Sequence, residues 1–293
     1  MKCPRAVNLR APDKKVAFIL IFLLNATHLL LAGPQQSGHV KVHLISEVLS
    51  IKPGQTFCVG LQLLMDKHWH TYWKNPGDSG LPTKIVWQLP DAFVAGDIQW
   101  PCPQRFELPE VVNFGYEGEV LLITAITAPM ALESGSKVKL AASVDWLACK
   151  EGCSPGHADL QIELPVKTED LKINKLSIHH FEKARIDLPK AAPDWKIDAL
   201  MNEDKIFIEM SPPLWFKREL VKVTFFPEQE ELINYSEFQR LKRSSQGYIL
   251  EIQKSKLSTK IPLRLKGVLF FQEGWSKNGQ EHALQVDVPF HAN

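Results

Sequence analysis

The chain has 293 residues, of which 45% are hydrophobic and 23% charged, and its formal net charge is +1. That length accommodates two ordinary domains, and the composition excludes intrinsic disorder. The near-neutral charge balance provides no basic field of the kind that holds nucleic acid.

The first 33 residues read as a secretory signal peptide. Lys2, Arg5, Arg10, Lys14 and Lys15 make a basic start, and Val16 to Leu24 is an apolar run. Cleavage is expected near Ala32 or Gly33, although Leu30 or Leu31 fits the small-residue rule poorly. An uncleaved membrane anchor is the alternative, against which the polar Asn25 and His28 weigh. No cysteine follows the apolar run, so a lipoprotein anchor is not expected. Export would place the cysteines in an oxidising compartment. Cys3 would be lost with the leader, leaving Cys58, Cys102, Cys149 and Cys153, which allow three pairings.

Residues 37–166 read as short strands punctuated by turns. In Thr56 to Leu63, the residues Phe57, Val59, Leu61 and Leu63 share one face and Cys58 points to the other. Pro76-Gly77-Asp78-Ser79-Gly80 is a loop by composition. Strands are expected at Lys84 to Leu89, Val120 to Ala128, Lys137 to Leu147 and Leu160 to Pro165, with a proline-rich bend at Pro101-Cys102-Pro103. Glu107, Glu110, Glu117 and Glu119 read as solvated loop carboxylates. Residues 167–194 form a connector with a short helix over Asn174 to Ile186, broken by Pro189 and Pro193. Strands return over residues 195–291, beginning with a hairpin of Trp195–Ala199 and Lys205–Met210 and continuing at Leu220 to Phe226, Gly247 to Gln253, Ile261 to Phe271 and His282 to Phe290. The fold class expected is all-β, with two immunoglobulin-like sandwiches joined by the partly helical connector.

Cys149 and Cys153 carry the clearest chemical signal. On a straight strand, residues four apart lie about 13 Å apart, whereas a disulfide needs Cα atoms within about 7 Å. The pair can bond only if the chain turns between them, and Gly152 is placed to let it. So small a loop gains little as a staple, which favours a redox pair over a structural clip. A metal site is the other alternative: Cys149, Cys153 and His157 recur at four-residue steps and as soft donors would suit Cu or Zn. His68 and His70 could add ligands. They flank the aromatic segment Trp69-His70-Thr71-Tyr72-Trp73, where a histidine is ordinarily a surface or packing residue. Cys58 and Cys102 could pair as a structural disulfide or rest as small buried hydrophobes. No Gly-x-Ser-x-Gly elbow, phosphate loop or internal repeat is present.

Four ordered segments then make a pattern: His68 to Pro82, Trp100 to Phe106, Phe114 to Gly118 and Val144 to Cys153. Together they resemble the periplasmic N-terminal region of the DsbD/ScsB thiol:disulfide interchange proteins. The resemblance implies an immunoglobulin-like domain with a redox-active cysteine pair and no organic cofactor. Such a domain takes electrons from a membrane-embedded donor and passes them to exported thioredoxin-like or other thiol proteins, as a protein-disulfide reductase component. By position, Cys153 matches the cysteine that forms mixed disulfides and Cys149 its resolving mate. Phe114-Gly115-Tyr116 matches a short aromatic cap loop that shields the pair. Cys102 departs from the Trp-Pro-x-Pro pattern, and the chain ends at Asn293 without the family's membrane channel, so the donor is expected on a separate chain. The ScsB branch is associated with copper tolerance, which keeps the metal alternative open.

Overall fold

Eighteen strands and one helix make up the part of the chain that the computed structural model describes, namely residues 33–192, 194–258 and 262–292. The expected leader, Gly33 apart, and Cys3 lie outside these residues. Among the described residues no helix is long and apolar enough to cross a membrane.

The first eleven strands are β1 (Gln35–Ser37), β2 (Val40–Ser46), β3 (Thr56–Met65), β4 (His70–Gly77), β5 (Lys84–Gln88), β6 (Val94–Gln99), β7 (Gln104–Leu108), β8 (Val111–Glu117), β9 (Glu119–Thr127), β10 (Lys137–Cys149) and β11 (Cys153–Pro165). The helix α1 (Ile178–Asp187) follows. Then come β12 (Lys196–Met201), β13 (Lys205–Ser211), β14 (Val223–Pro227), β15 (Arg240–Ser244), β16 (Gly247–Gln253), β17 (Arg264–Phe271) and β18 (Ala283–Ala292).

Strands β1 to β11 form two facing sheets, ordered β1-β2-β3-β9-β6 and β11-β10-β4-β8-β7, with β5 paired to β10. The alternation in β3 works as its sequence dictates: Phe57, Val59, Leu61 and Leu63 are buried in the core between the sheets. From the opposite sheet, Val138, Leu140, Ala142, Val144, Trp146 and Ala148 of β10 meet them. The other face of β3 and β9 is covered by α1, where Phe181 and Ala184 pack on Leu121 and Ile123, with Cys58 at the margin. Arg185 fixes that helix through two bonds to the Glu47 carboxylate, at 2.5 and 2.8 Å.

Strands β12 to β18 form one seven-stranded sheet in which β18 changes partners, antiparallel to β17 through Ala283 to Pro289 and parallel to β12 through Phe290 to Ala292. The chain is all-β with immunoglobulin-like packing, and one continuous hydrophobic core runs through both groups of strands. The second group meets the far end of β4. Asn75, fully buried, donates to Pro227 O at 2.8 Å and to the Tyr235 hydroxyl at 3.2 Å, and Trp73 meets the Phe226 ring edge-on.

Three expectations need correction. The segment 104–117 is not a loop but a hairpin, with β7 and β8 paired from Gln104↔Gly115 to Leu108↔Val111. Phe114-Gly115-Tyr116 therefore lies in a strand, paired on its other side with Thr71 and Tyr72 of β4. Strand β11 begins at Cys153 rather than near Leu160, which makes β10–β11 a long two-stranded arm. Cys58 and Cys102 are free thiols in separate surroundings: Cys58 beside Arg185 under α1, and Cys102 in the bend after β6, its N–H bonded to Asp187 O.

Candidate functional site

Cys149 ends β10 and Cys153 starts β11, and the two are directly opposed as the last pair of the ladder. They form a disulfide with Cα atoms 4.1 Å apart, near the roughly 4.5 Å of a directly opposed, non-hydrogen-bonded pair. The turn required between them is supplied by Lys150-Glu151-Gly152, with the Lys150 N–H bonded to Gly152 O at 3.1 Å. Gly152 does not adopt a left-handed backbone there, and a Cβ on it would meet open space, so the turn does not depend on its being glycine.

Ladder partners point to the same face of a sheet, and neighbours along a strand point to opposite faces. Trp146 and Ala148 face the core, so Cys149 and Cys153 sit on the outer face. Cys149 is 3% exposed there, while Cys153 is open to solvent. An incoming thiolate thus has one reachable sulfur.

On its other side Cys149 pairs with His70 of β4, and His70 with Glu117 of β8. His70, Tyr72 and Phe106 form an aromatic group on this outer face. The His70 ring stacks on Phe106 with centroids 4.6 Å apart and meets Tyr72 edge-on at 5.2 Å. Gly115 lies in the row between β4 and β7, where a Cβ would overlap the Thr71 carbonyl oxygen. Burial pushes the His70 pKa down, with Glu117 opposing, so the ring is neutral at pH 7.

The same parity places Phe114 and Tyr116 on the inner face, away from the disulfide. Phe114 meets Phe226 and Tyr235 edge-on, with both centroid separations 5.1 Å, and the Tyr116 hydroxyl donates to Pro101 O at 2.8 Å. These residues pack the core. The aromatic side chains on the disulfide's own face are instead His70 and Tyr72 of β4 and Phe106 of the neighbouring hairpin.

His157 is not gathered toward the cysteines. It lies across from Asp145, with Nδ1 2.7 Å from that carboxylate and Nε2 3.6 Å from Asp159, and its pKa is raised chiefly by the Asp145 bond. Among the described residues no group of three His, Cys, Asp or Glu side chains could hold a metal. The remaining thiols are poor nucleophiles in the folded chain. Burial raises the Cys102 pKa far above the ordinary thiol range, with Asp187 adding to it, and burial together with Glu47 raises that of Cys58.

Comparison with known proteins bears directly on this hairpin. The family described as "Thiol:disulfide interchange protein DsbD, N-terminal" matches residues 43–165. This stretch is a DsbD/ScsB N-terminal domain-like region. The whole fold is similar to the crystal structure of the N-terminal periplasmic domain of ScsB from Proteus mirabilis, with a TM-score of 0.63 at 13% identity, covering 88% of this chain and 98% of that one. BcpA, the major pilin subunit of Bacillus cereus, matches far more loosely, with a TM-score of 0.26 at 10% identity over 86% of this chain and 69% of that one. No curated protein matches the chain. The matched stretch contains both cysteines of the disulfide and ends with β11.

The sequence offered His70 only as an added metal ligand or a packing residue, and did not single out Phe106 as a site residue. The alternation of Trp69 to Trp73 separates His70 and Tyr72 from the core-facing aromatics. Nothing local tells that β4 pairs with the end of β10.

Proposed function

We propose that the chain is an exported thiol–disulfide interchange module. It would pass reducing equivalents through the Cys149/Cys153 pair, from a membrane-embedded dithiol donor to exported thiol proteins, thioredoxin-like ones among them. The observation that carries this reading is the asymmetry of the pair: a disulfide across the end of a hairpin, one sulfur buried and one open. The match of residues 43–165 to the DsbD N-terminal family supports it.

In the reduced chain the Cys153 thiolate attacks an acceptor disulfide. A mixed disulfide forms, and one acceptor sulfur leaves as a thiolate and takes up a proton. The Cys149 thiolate then attacks the Cys153 sulfur, the mixed bond breaks, and the second acceptor sulfur leaves. Two electrons have passed to the acceptor, now a dithiol, and the Cys149–Cys153 bond has re-formed. A donor dithiol recharges the pair by the reverse steps, entering at Cys153. In the ladder of the disulfide form the two cysteines are directly opposed, and a ladder that persists on reduction would leave the resolving attack little reorganisation to make.

The test is a titration of the mature chain against glutathione, with trapped thiols mapped by mass spectrometry. The pair is expected to interconvert while Cys58 and Cys102 remain thiols. In Cys149→Ser, Cys153 should accumulate mixed disulfides. A pair that stays oxidised below about −300 mV would instead be a structural bridge.

A further inference from the structure

The disulfide's outer face holds one buried polar atom that the oxidised protein leaves unsatisfied. His70 is 4% exposed, and its Nε2 has no hydrogen-bond partner among the described residues. Buried polar groups are normally paired, because leaving one without a partner forfeits its hydration with nothing in return. An exception at a site of chemistry asks for a partner that exists in another state of the molecule.

We propose that the His70 imidazole is the hydrogen-bond donor to the Cys149 sulfur when the disulfide opens, so that reduction fills the contact that oxidation leaves empty. This rests on the interchange reading above. Attack on Cys153 sends the electron pair of the broken S–S bond to the Cys149 sulfur, which must leave as a thiolate. That sulfur belongs to a residue 3% exposed, where water offers it little help. His70 is the cross-strand partner of Cys149 and shares its face, which puts the two Cβ atoms about 4.5–5.5 Å apart. A disulfide sulfur is a weak acceptor, whereas a thiolate is a strong one whose charge-assisted bond is roughly twice as strong as a neutral bond. The neutral ring has one N–H to give, and the tautomer protonated at Nε2 supplies it.

The other groups around His70 leave this role to it. Phe106 covers a face of the ring and Tyr72 meets it edge-on. Glu117, on the β8 side, binds the backbone N–H of His68 at 3.0 Å and lies 3.7 Å from the His68 ring. A donor that binds only the leaving thiolate stabilises the reduced state and the transition state leading to it, and leaves the disulfide alone.

Three forms of the full chain test this: wild type, His70→Phe and His70→Gln. Phe keeps a ring against Phe106 but has no donor, and Gln restores an N–H. His70→Phe should lower both the rate of reduction by dithiothreitol and the equilibrium constant with glutathione about tenfold, a potential about 30 mV more negative. His70→Gln should recover most of that loss. Equal constants for wild type and His70→Phe, or a Gln variant as impaired as Phe, would overturn the assignment. Should His70→Phe fail to fold, the 15N shift of His70 Nε2 in oxidised and reduced wild type decides: a change on reduction supports the bond, and an unchanged shift overturns it. A wild-type pair that resists both reductants overturns the interchange reading itself. Normal exchange in wild type with an indifferent His70→Phe overturns only the role of His70.

Discussion

Opening the Cys149–Cys153 bond should cost the protein stability without costing it its fold. The bond joins residues with a sequence separation of four. In the chain-entropy description, closing so short a loop is worth about 2 kcal/mol, against about 4.7 for a loop of 100 residues. For a folded unit of this size, 1 kcal/mol moves the melting midpoint by about 2–4 °C, so reduction should lower it by about 4–8 °C. The fold persists because the bond closes only the last pair of a ladder that runs back to Lys137↔Pro165, with the inner faces of both strands anchored in the core. Circular dichroism melts with and without a phosphine reductant, alongside the Cys149→Ser/Cys153→Ser double variant, measure this. A reduced protein that loses its cooperative transition, or melts far below the expected interval, would show that the bond holds the fold and would refute the reasoning.

Asn75→Ala should cost about 2–4 kcal/mol in urea unfolding, because it removes the side chain's bonds to Pro227 O and the Tyr235 hydroxyl and strands a buried carbonyl. A loss under about 0.5 kcal/mol would mean that the contact between the two groups of strands does not rest on this side chain. His157 gives a pH signature. Its folded pKa is raised by Asp145 above the ordinary value of about 6.5. Its contribution is therefore complete below that value and vanishes as pH rises through the folded pKa. Both partners are exposed, so His157→Ala should cost no more than about 1 kcal/mol at pH 5.5 and nothing at pH 9; a cost that grows with pH would contradict the pairing. With the pair oxidised, iodoacetamide at pH 8 should leave Cys102 unmodified and label Cys58 slowly, and denaturant should expose both. Fast labelling of Cys102 in the native protein would contradict the upward shift of its thiol pKa.

Strands with regular alternation were legible in the sequence. Residues 56–63 and 247–253 show their buried faces directly, and the hairpin of β12 and β13 follows from its pattern. The hairpin of β7 and β8 was not legible, because Leu108-Pro109-Glu110-Val111 and its neighbours mix carboxylates, proline and apolar residues without a period. β15 hides for the same reason, as Arg240–Ser244 has a single apolar residue. The cysteine pair and the turn it demands followed from spacing alone. The aromatic cap did not, because a motif match gives a position in the chain and not a face of a sheet. Phe114 and Tyr116 fall one residue out of phase with the row that holds Cys149, His70 and Glu117.

That phase relation also decides how a partner can approach. Cys149, Cys153, His70 and Glu117 share the outer face at the β10–β11 turn, and the inner face is closed by Trp73, Trp146 and Ala148. The second group of strands meets β4 at Asn75, about 16 Å along the strand from His70 at the usual rise per residue. It therefore adjoins the end of β4 remote from the disulfide. A thiol protein docking on the outer face would meet Cys153 first, with Phe106 and His70 beside it, and the buried Cys149 would be reached only through the bond that Cys153 makes. Were the pair to exchange with such a protein, the exposed Cys153 would be the residue attacked and the buried Cys149 the one whose sulfur leaves, because the two share a face and differ in exposure.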